Sequence, residues 1–88
     1  MSEEDTLLAF PCDFPIKILG SHRDDFTQTM VALVLRHAPD FAADGVAIRA
    51  SSSGNYLSLT CTIRATSKAQ LDALYRELTG HPMVKMVL

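Results

Sequence analysis

The clearest structural signal in the chain is a polar turn followed by an alternating segment, Ser51-Ser52-Ser53-Gly54-Asn55-Tyr56-Leu57-Ser58-Leu59-Thr60-Cys61-Thr62-Ile63-Arg64-Ala65. The alternation from Tyr56 onward predicts a β-strand with one buried face, because successive side chains on a strand point to opposite sides. That register places Cys61 in the buried row. Gly54 and Asn55 accept positive φ at little cost, so the polar stretch predicts a hairpin connection of about five residues.

Apolar residues at helical spacing predict two helices, one on each side of the central hairpin. The first follows Ser21-x-x-Asp24, which resembles a helix-capping box, and Pro39 ends it. The second opens with a stronger capping box, Ser67-x-x-Gln70. Each helix has an apolar stripe that a sheet must cover.

The predicted order of elements is β-α-β-β-α-β, with the other strands at residues 16–19, 46–50 and 83–88, the first of them ending at Gly20. Right-handed crossovers then favour an α+β fold, the ferredoxin-like βαββαβ two-layer sandwich. Its four-stranded antiparallel sheet carries both helices on one face. We expect a single domain over residues 10–88, preceded by a flexible acidic lead-in at residues 1–9.

Composition and charge argue against several classes of function. The net charge of −2 gives no overall attraction to nucleic acid, and Tyr56 is the one aromatic residue expected on the open sheet face, so nucleic acid is an unlikely partner. The acidic amino-terminal residues and the lack of a long apolar run predict a cytoplasmic protein without a membrane segment. Cys12 and Cys61 have no metal-ligand spacing, so we expect reduced thiols, no metal and no cofactor.

Strand parity assigns cationic side chains to the sheet face that the helices leave open. Four of the eight Lys and Arg residues project there, namely Lys17, Arg49, Arg64 and Lys85. The chosen registers bury five apolar residues of the second and last strands, Val46, Ile48, Val84, Met86 and Leu88. The ten acidic residues are expected in the amino-terminal segment, loops and helices. This cationic face either recognises an anion or an acidic partner, or only discourages aggregation.

Catalytic signatures are missing from the sequence. A nucleophile needs a base within hydrogen-bond reach, and the three histidines fall near helix ends or in loops. We therefore expect no enzymatic activity, and an enzyme that uses the Ser51–Tyr56 loop with Lys17 is the least favoured alternative. The serine-rich turn is either a polar connection or a loop whose amides and hydroxyls bind an anion. The candidate residues for binding a ligand or partner are Lys17, Arg49, Ser51, Ser52, Gly54, Asn55, Tyr56, Arg64 and Lys85.

Five motifs extend across nearly the whole chain: Phe10-Pro11-x-x-Phe14-x-x-Lys17-x-x-Gly20, His37-Ala38-Pro39, Ser51-Ser52-x-Gly54-Asn55-Tyr56-x-Ser58, Leu74-Tyr75-x-x-Leu78 and Met86-Val87-Leu88. Together they resemble the YbeD-like family of small bacterial proteins. The family pattern usually has a lysine in the serine-rich turn, where this chain has Ser53.

The resemblance implies an ACT-like form of the ferredoxin-like fold and a regulatory role, with a link to lipoate metabolism. ACT domains commonly bind amino acids at dimer interfaces and signal to an attached enzyme, so this chain would act in trans. The sequence thus predicts a non-catalytic ACT-like regulatory or adaptor module that binds a protein partner or a small anionic ligand. The alternative is a structural homo-oligomer without ligand, such as a homodimer paired along the second strand.

Overall fold

The computed structural model describes residues 9–88, so the lead-in predicted for residues 1–9 falls outside them except for its last residue. In chain order the elements are β1 (Cys12–Ser21), α1 (Phe26–His37), β2 (Ala47–Ala50), β3 (Tyr56–Ala65), α2 (Lys68–Thr79) and β4 (Val84–Val87), with a short 3-10 turn at Ala43–Gly45. The strands form one antiparallel sheet in the order β2-β3-β1-β4. The predicted ferredoxin-like βαββαβ sandwich is confirmed.

Strand β3 forms the centre of the core, as its sequence predicted. Every second side chain from Leu57 to Ala65 is buried, and Cys61 is fully inaccessible. Against this row pack Ile16 and Ile18 of β1 and the buried stripes of both helices, namely Phe26, Met30, Leu33 and Val34 in α1 and Leu71, Leu74 and Leu78 in α2. Both helices therefore cover one face of the sheet, and the opposite face remains open.

Strand β1 is longer than predicted, since it passes through Gly20 and ends at Ser21. It pairs with β3 along its whole length, up to Ser21 opposite Tyr56. Pro15 is tolerated because the pairing with the last strand reaches only as far as Lys17, which leaves Pro15 on a locally free edge. The extra length of β1 brings the residues after Ser21 close to the hairpin.

The two helix starts differ from each other. The capping box predicted at Ser21 is wrong, because Ser21 belongs to β1; Asp25 precedes α1, and its side chain makes no capping hydrogen bond. At α2 the predicted N-cap is confirmed, since Ser67 Oγ accepts a hydrogen bond from the Gln70 amide at 3.1 Å, but the return bond of the box goes to the residue before the cap. Gln70 Oε1 accepts in turn from the Thr66 amide at 2.7 Å. The stronger sequence signal thus marks the better capped helix.

The register predicted for the last strand is wrong for its final residues. Val87 packs against the core, whereas Met86 pairs with Leu19 on the open face. Met86 and Leu88 are consequently 53% and 61% exposed instead of buried. A β-bulge explains the shift, because Lys85 is an extra residue between two consecutive β1–β4 pairs and reverses the alternation of side chains.

Strand β2 is a short edge strand whose four residues are all exposed. Ile48 pairs with Leu59 and so lies on the helix side of the sheet, as predicted. Its predicted burial is wrong, however, since the side chain is 57% exposed. The helices cover the central strands and leave this edge position uncovered.

Candidate functional site

The open face of the sheet is polar toward β2 and apolar toward β4. Residues directly opposite each other on antiparallel strands share a face, so the register aligns two rows across the sheet. One row contains Ala47, Thr60, Lys17 and Leu88, and the next contains Arg49, Ser58, Leu19 and Met86. Each row therefore has one cation and ends in an exposed apolar residue at the β4 edge.

A depression of about 280 Å³ lies at the β2 end of these rows. Its lining comes from three strands and the hairpin: Lys17, Leu19, Arg49, Ala50, Ser51, Ser52, Tyr56, Leu57 and Ser58. Lys17 and Arg49 are both exposed, with one strand between them and an offset of two residues along the strands, so their backbones stand roughly 12 Å apart. Side chains of their length reach one bound anion from that separation. The structure thus brings together Lys17, Arg49, Ser51, Ser52 and Tyr56 of the predicted site.

The hairpin between β2 and β3 forms the rim of this depression. Gly54 takes a φ of 78°, in the left-handed region that favours glycine. Ser51 closes the base of the loop: its amide donates to the Tyr56 carbonyl at 2.9 Å, and its Oγ accepts from the Tyr56 amide at 3.2 Å. The hydroxyls of Ser51 and Ser53 lie 3.2 Å apart. These contacts hold the loop in a defined shape, with Ser52 facing the depression.

His22 fastens the hairpin from outside the depression. Its Nδ1 lies 2.8 Å from the Gly54 carbonyl oxygen, so Nδ1 carries the proton, and its backbone amide donates to the Asn55 carbonyl at 2.8 Å. Gly54 and Asn55, both predicted to bind the ligand, thus anchor the loop and are not among the lining residues. Sequence reasoning missed His22 because the contact depends on β1 reaching Ser21, opposite Tyr56.

Arg64 and Lys85 stand apart from the depression. Arg64 lies opposite Asp13, four residues along β3 from Thr60, a distance of roughly 13 Å. The prediction that acidic residues avoid the strands is therefore wrong for Asp13, which lies in β1. Lys85 is exposed in the β-bulge of the far edge strand. The four cations predicted for one face thus divide into a central pair and two separate residues.

The polar contacts of the helix layer join α1 to α2 on the other side of the sheet. Glu77 Oε2 accepts a hydrogen bond from Arg36 Nη2 at 2.8 Å, and Glu77 Oε1 lies 3.3 Å from His37 Nε2. Gln70 Nε2 donates to the His37 carbonyl at 2.9 Å. His37 is the last residue of α1, and these bonds account for it as part of the contact between the helices.

The remaining features of residues 9–88 provide no comparable cluster. A hollow of about 400 Å³ on the helix layer is lined in part by Asp25, Arg36 and His81, so it carries charges of both signs. Burial raises the pKa of the Cys61 thiol to about 11, which keeps it protonated at neutral pH. Within the same range there is no group of three side chains suited to hold a metal, and no helix long and apolar enough to cross a membrane.

Sequence comparison identifies a family that covers almost the whole chain. The family described as "Protein of unknown function (DUF493)" matches residues 5–88. A UPF0250 protein of Nitrosomonas europaea is 53% identical over 85 residues, which cover 97% of this chain and 98% of the relative. A UPF0250 protein of Ralstonia nicotianae is 55% identical over 84 residues, which cover 96% of this chain and 87% of the relative.

Structural comparison finds the same fold at much lower identity. The solution structure of a protein from H. pylori has a TM-score of 0.74 at 12% identity, covering 92% of this chain and 85% of that one. The ACT domain of GTP pyrophosphokinase from Chlorobium tepidum has a TM-score of 0.62 at 18% identity, covering 88% of this chain and 97% of that one. The fold is therefore ACT-like, and the chain belongs to the DUF493 family, whose bacterial relatives are named UPF0250 and which the YbeD-like motifs indicated.

Proposed function

We propose that the protein is a non-catalytic regulatory module that binds a small anionic ligand in the depression on its open sheet face. The observation that carries the proposal is the convergence of two cationic and three hydroxyl-bearing side chains, Lys17, Arg49, Ser51, Ser52 and Tyr56. Ammonium and guanidinium groups form charge-assisted hydrogen bonds with carboxylate or phosphate oxygens, and hydroxyls donate further bonds to them. Their common position around one depression suits a ligand of a few polar atoms.

The charge distribution supports an anion as the ligand. The chain has a net charge of −2, yet among residues 9–88 no side-chain carboxylate lines the depression. Within residues 9–88, neither Lys17 nor Arg49 takes part in an ion pair. A bound anion therefore meets two cations that do not have to leave an existing partner, although each such exposed contact contributes only about 0.2–1 kcal/mol.

The ACT-like fold supports the regulatory part of the proposal by analogy. The ACT domain of the Chlorobium tepidum protein belongs to an enzyme, a GTP pyrophosphokinase. By the same logic, the present domain reports the occupancy of its site to a partner enzyme in trans, in the cytoplasm. The link to lipoate metabolism that the YbeD-like resemblance implies names one process in which to seek that enzyme.

Amide chemical shifts recorded by NMR during titration with inorganic phosphate, and separately with acetate, test the site. We expect perturbations centred on Lys17, Arg49 and residues 51–56. Lys17→Met and Arg49→Met should each weaken binding by about fivefold, because a charge contact of about 1 kcal/mol is removed while the apolar stem remains. The matched control is Lys68→Met, an exposed lysine at the start of α2. Shifts spread over the helix layer, or an equal loss in Lys68→Met, would contradict the proposal.

A structural homo-oligomer is the second candidate, and the edge strand β2 favours it. The other edge, β4, is interrupted by a bulge at Lys85, which discourages pairing with another chain. β2 has no bulge, its residues are all exposed, and Ile48 presents an apolar side chain beside it. Sedimentation velocity of the wild type and of Ile48→Lys tests this candidate. A dimer that the substitution disperses supports it, and a monomer at every concentration excludes it.

A further inference from the structure

A strip of three apolar side chains, of which Leu19 is half-buried and the other two are exposed, adjoins the depression on the open face. It is formed by Leu19, Met86 and Leu88. Leu19 lines the depression itself, and Met86 lies directly opposite it on β4. Leu88 lies opposite Lys17, which exchanges two backbone hydrogen bonds with it, at 3.1 and 2.8 Å. Because the strip begins inside the depression, the two form one continuous surface from β2 to β4.

The exposure of this strip is a consequence of the β4 register. The solvent-exposed face of an antiparallel sheet normally carries polar residues, and the apolar residues of each strand point to the core face. The bulge at Lys85 turns Met86 and Leu88 outward, where they are 53% and 61% exposed. Val87 still packs against the core, and the two backbone hydrogen bonds with Lys17 keep Leu88 paired with β1. The strand is therefore ordered in a geometry that presents apolar side chains to solvent.

The charges beside the strip restrict what can cover it. A second copy stacked on this face would set its Lys17 and Arg49 against the same pair, where like charges oppose the contact, or against the apolar strip, where both cations lose water without compensation. A purely apolar partner would remove both cations from water without compensation. An anion that carries an apolar chain satisfies the cations and covers the strip at the same time.

We infer that the ligand of this site is an amphiphilic anion, with a carboxylate head group and an unbranched apolar chain. The inference rests on the proposed function, because the head group occupies the depression at Lys17 and Arg49. The apolar chain of the ligand crosses β1 over Leu19 and ends over Met86 and Leu88. From β2 to β4 the surface spans three strand spacings, or roughly 14 Å, which accommodates a chain of several methylenes.

Calorimetric titration with unbranched monocarboxylates, from acetate to decanoate below their micelle concentrations, tests the inference. Complete burial of one methylene tightens binding by about fourfold. A chain on an open face buries roughly half of its surface, so each added methylene should lower Kd by about twofold until the chain passes β4. A 1-alkanol of the same length, which lacks the charge, should bind far more weakly.

Two kinds of variant show which side chains bind the apolar chain of the ligand and which bind its head group. Met86→Thr combined with Leu88→Thr should abolish the dependence on chain length and leave the affinity for acetate unchanged, because threonine suits an exposed strand position. Ile48→Thr is the matched control, since it removes an apolar side chain of similar exposure from the helix side of the sheet. Lys17→Met should weaken every member of the series by a similar factor.

The outcomes separate this inference from the proposed function. If acetate binds in a Lys17-dependent manner and affinity does not rise with chain length, the amphiphile is refuted and the anion site stands. If no carboxylate binds, the inference is refuted, and if inorganic phosphate does not bind either, the proposed function is refuted with it. A chain-length dependence that survives the double threonine variant, or that disappears in Ile48→Thr, also overturns the inference. Its loss in the double variant alone supports the strip as the chain-binding surface.

Discussion

Replacing Gly20 with alanine is expected to lower the free energy of unfolding, because Gly20 lies on the central strand β1 in a closely packed position. Gly20 lies in β1 between Leu57 on one side and Val84 on the other. A Cβ at this position would lie 2.5 Å from the Met83 carbonyl oxygen and closer still to the ring of Phe26. Side chains do not approach that closely, so either Phe26 must leave its buried position or the β4 backbone must move.

The expected decrease in the free energy of unfolding depends on which groups must move to admit the new Cβ. Inserting a methylene into a packed core costs about 1–3 kcal/mol when neighbouring side chains adjust. Here Phe26 is fully buried, and the second contact is with backbone, which cannot rotate away. We therefore expect Gly20→Ala to lower the free energy of unfolding by about 3 kcal/mol. For a domain of this size, that corresponds to a decrease in Tm of roughly 12–24 °C.

Urea unfolding followed by circular dichroism measures this loss, and Gly45→Ala is its matched control. A Cβ at Gly45 meets nothing within 4 Å, and the φ of this residue is not positive. Its replacement should change stability by about 0.5 kcal/mol or less, or stabilise slightly by restricting the unfolded chain. If the two variants unfold at the same urea concentration, the close packing around Gly20 is refuted.

The hairpin, the helix pair and the buried thiol each give a smaller prediction. His22→Ala removes a hydrogen bond to the hairpin, so amide hydrogen exchange at residues 52–55 should accelerate while global stability falls by about 1 kcal/mol or less; unchanged exchange would refute the anchoring role. A double-mutant cycle of Arg36→Met and Glu77→Gln should give a coupling of about 0.2–1 kcal/mol, because Arg36 is largely exposed; a larger value would contradict this. Burial raises the pKa of Cys61 from 9.0 to about 11, so between these values the thiol ionises only in the unfolded chain. Stability should therefore fall between pH 9 and about 11 by up to about 1.4 kcal/mol per pH unit, and Cys61→Ala should make the slope shallower by that amount; equal slopes would argue against the shift.

Local sequence chemistry predicted the elements in which short-range constraints dominate. The alternation after Tyr56 identified β3 and its buried row, because one face of a central strand is covered along its whole length. Ser67 marked the start of α2 because its side chain bonds a backbone amide three residues away. Gly54 marked the turn because its conformation has positive φ. Each of these features depends on interactions between residues that are close in sequence, so the local sequence is enough to predict it.

The errors lie where a distant strand decides the outcome. The segment Val84–Val87 alternates acceptably in two registers, and the bulge at Lys85 becomes visible only against β1. Ser21 resembled a helix cap, yet pairing with Tyr56 extends β1 through it. Ile48 has the correct parity for burial, but its exposure depends on how far the helices extend over the edge strand.

The candidate site shows the same division. Parity placed Lys17 and Arg49 on the open face, and the strand order then brought them to one depression. Parity also placed Arg64 there, but its distance along β3 puts it beside Asp13 instead. The contact from His22 to the hairpin joins segments far apart in sequence, so no local sequence pattern predicts it.

Native mass spectrometry of the protein, purified gently from the cells that produce it, tests the anion site without assuming the identity of the ligand. We predict that the wild type carries a small bound anion and that the double variant Lys17→Met/Arg49→Met does not. Lys68→Met, which removes an exposed lysine from α2, should retain the anion. Wild-type protein without an adduct, or an adduct that persists in the double variant, would contradict a regulatory site at the depression.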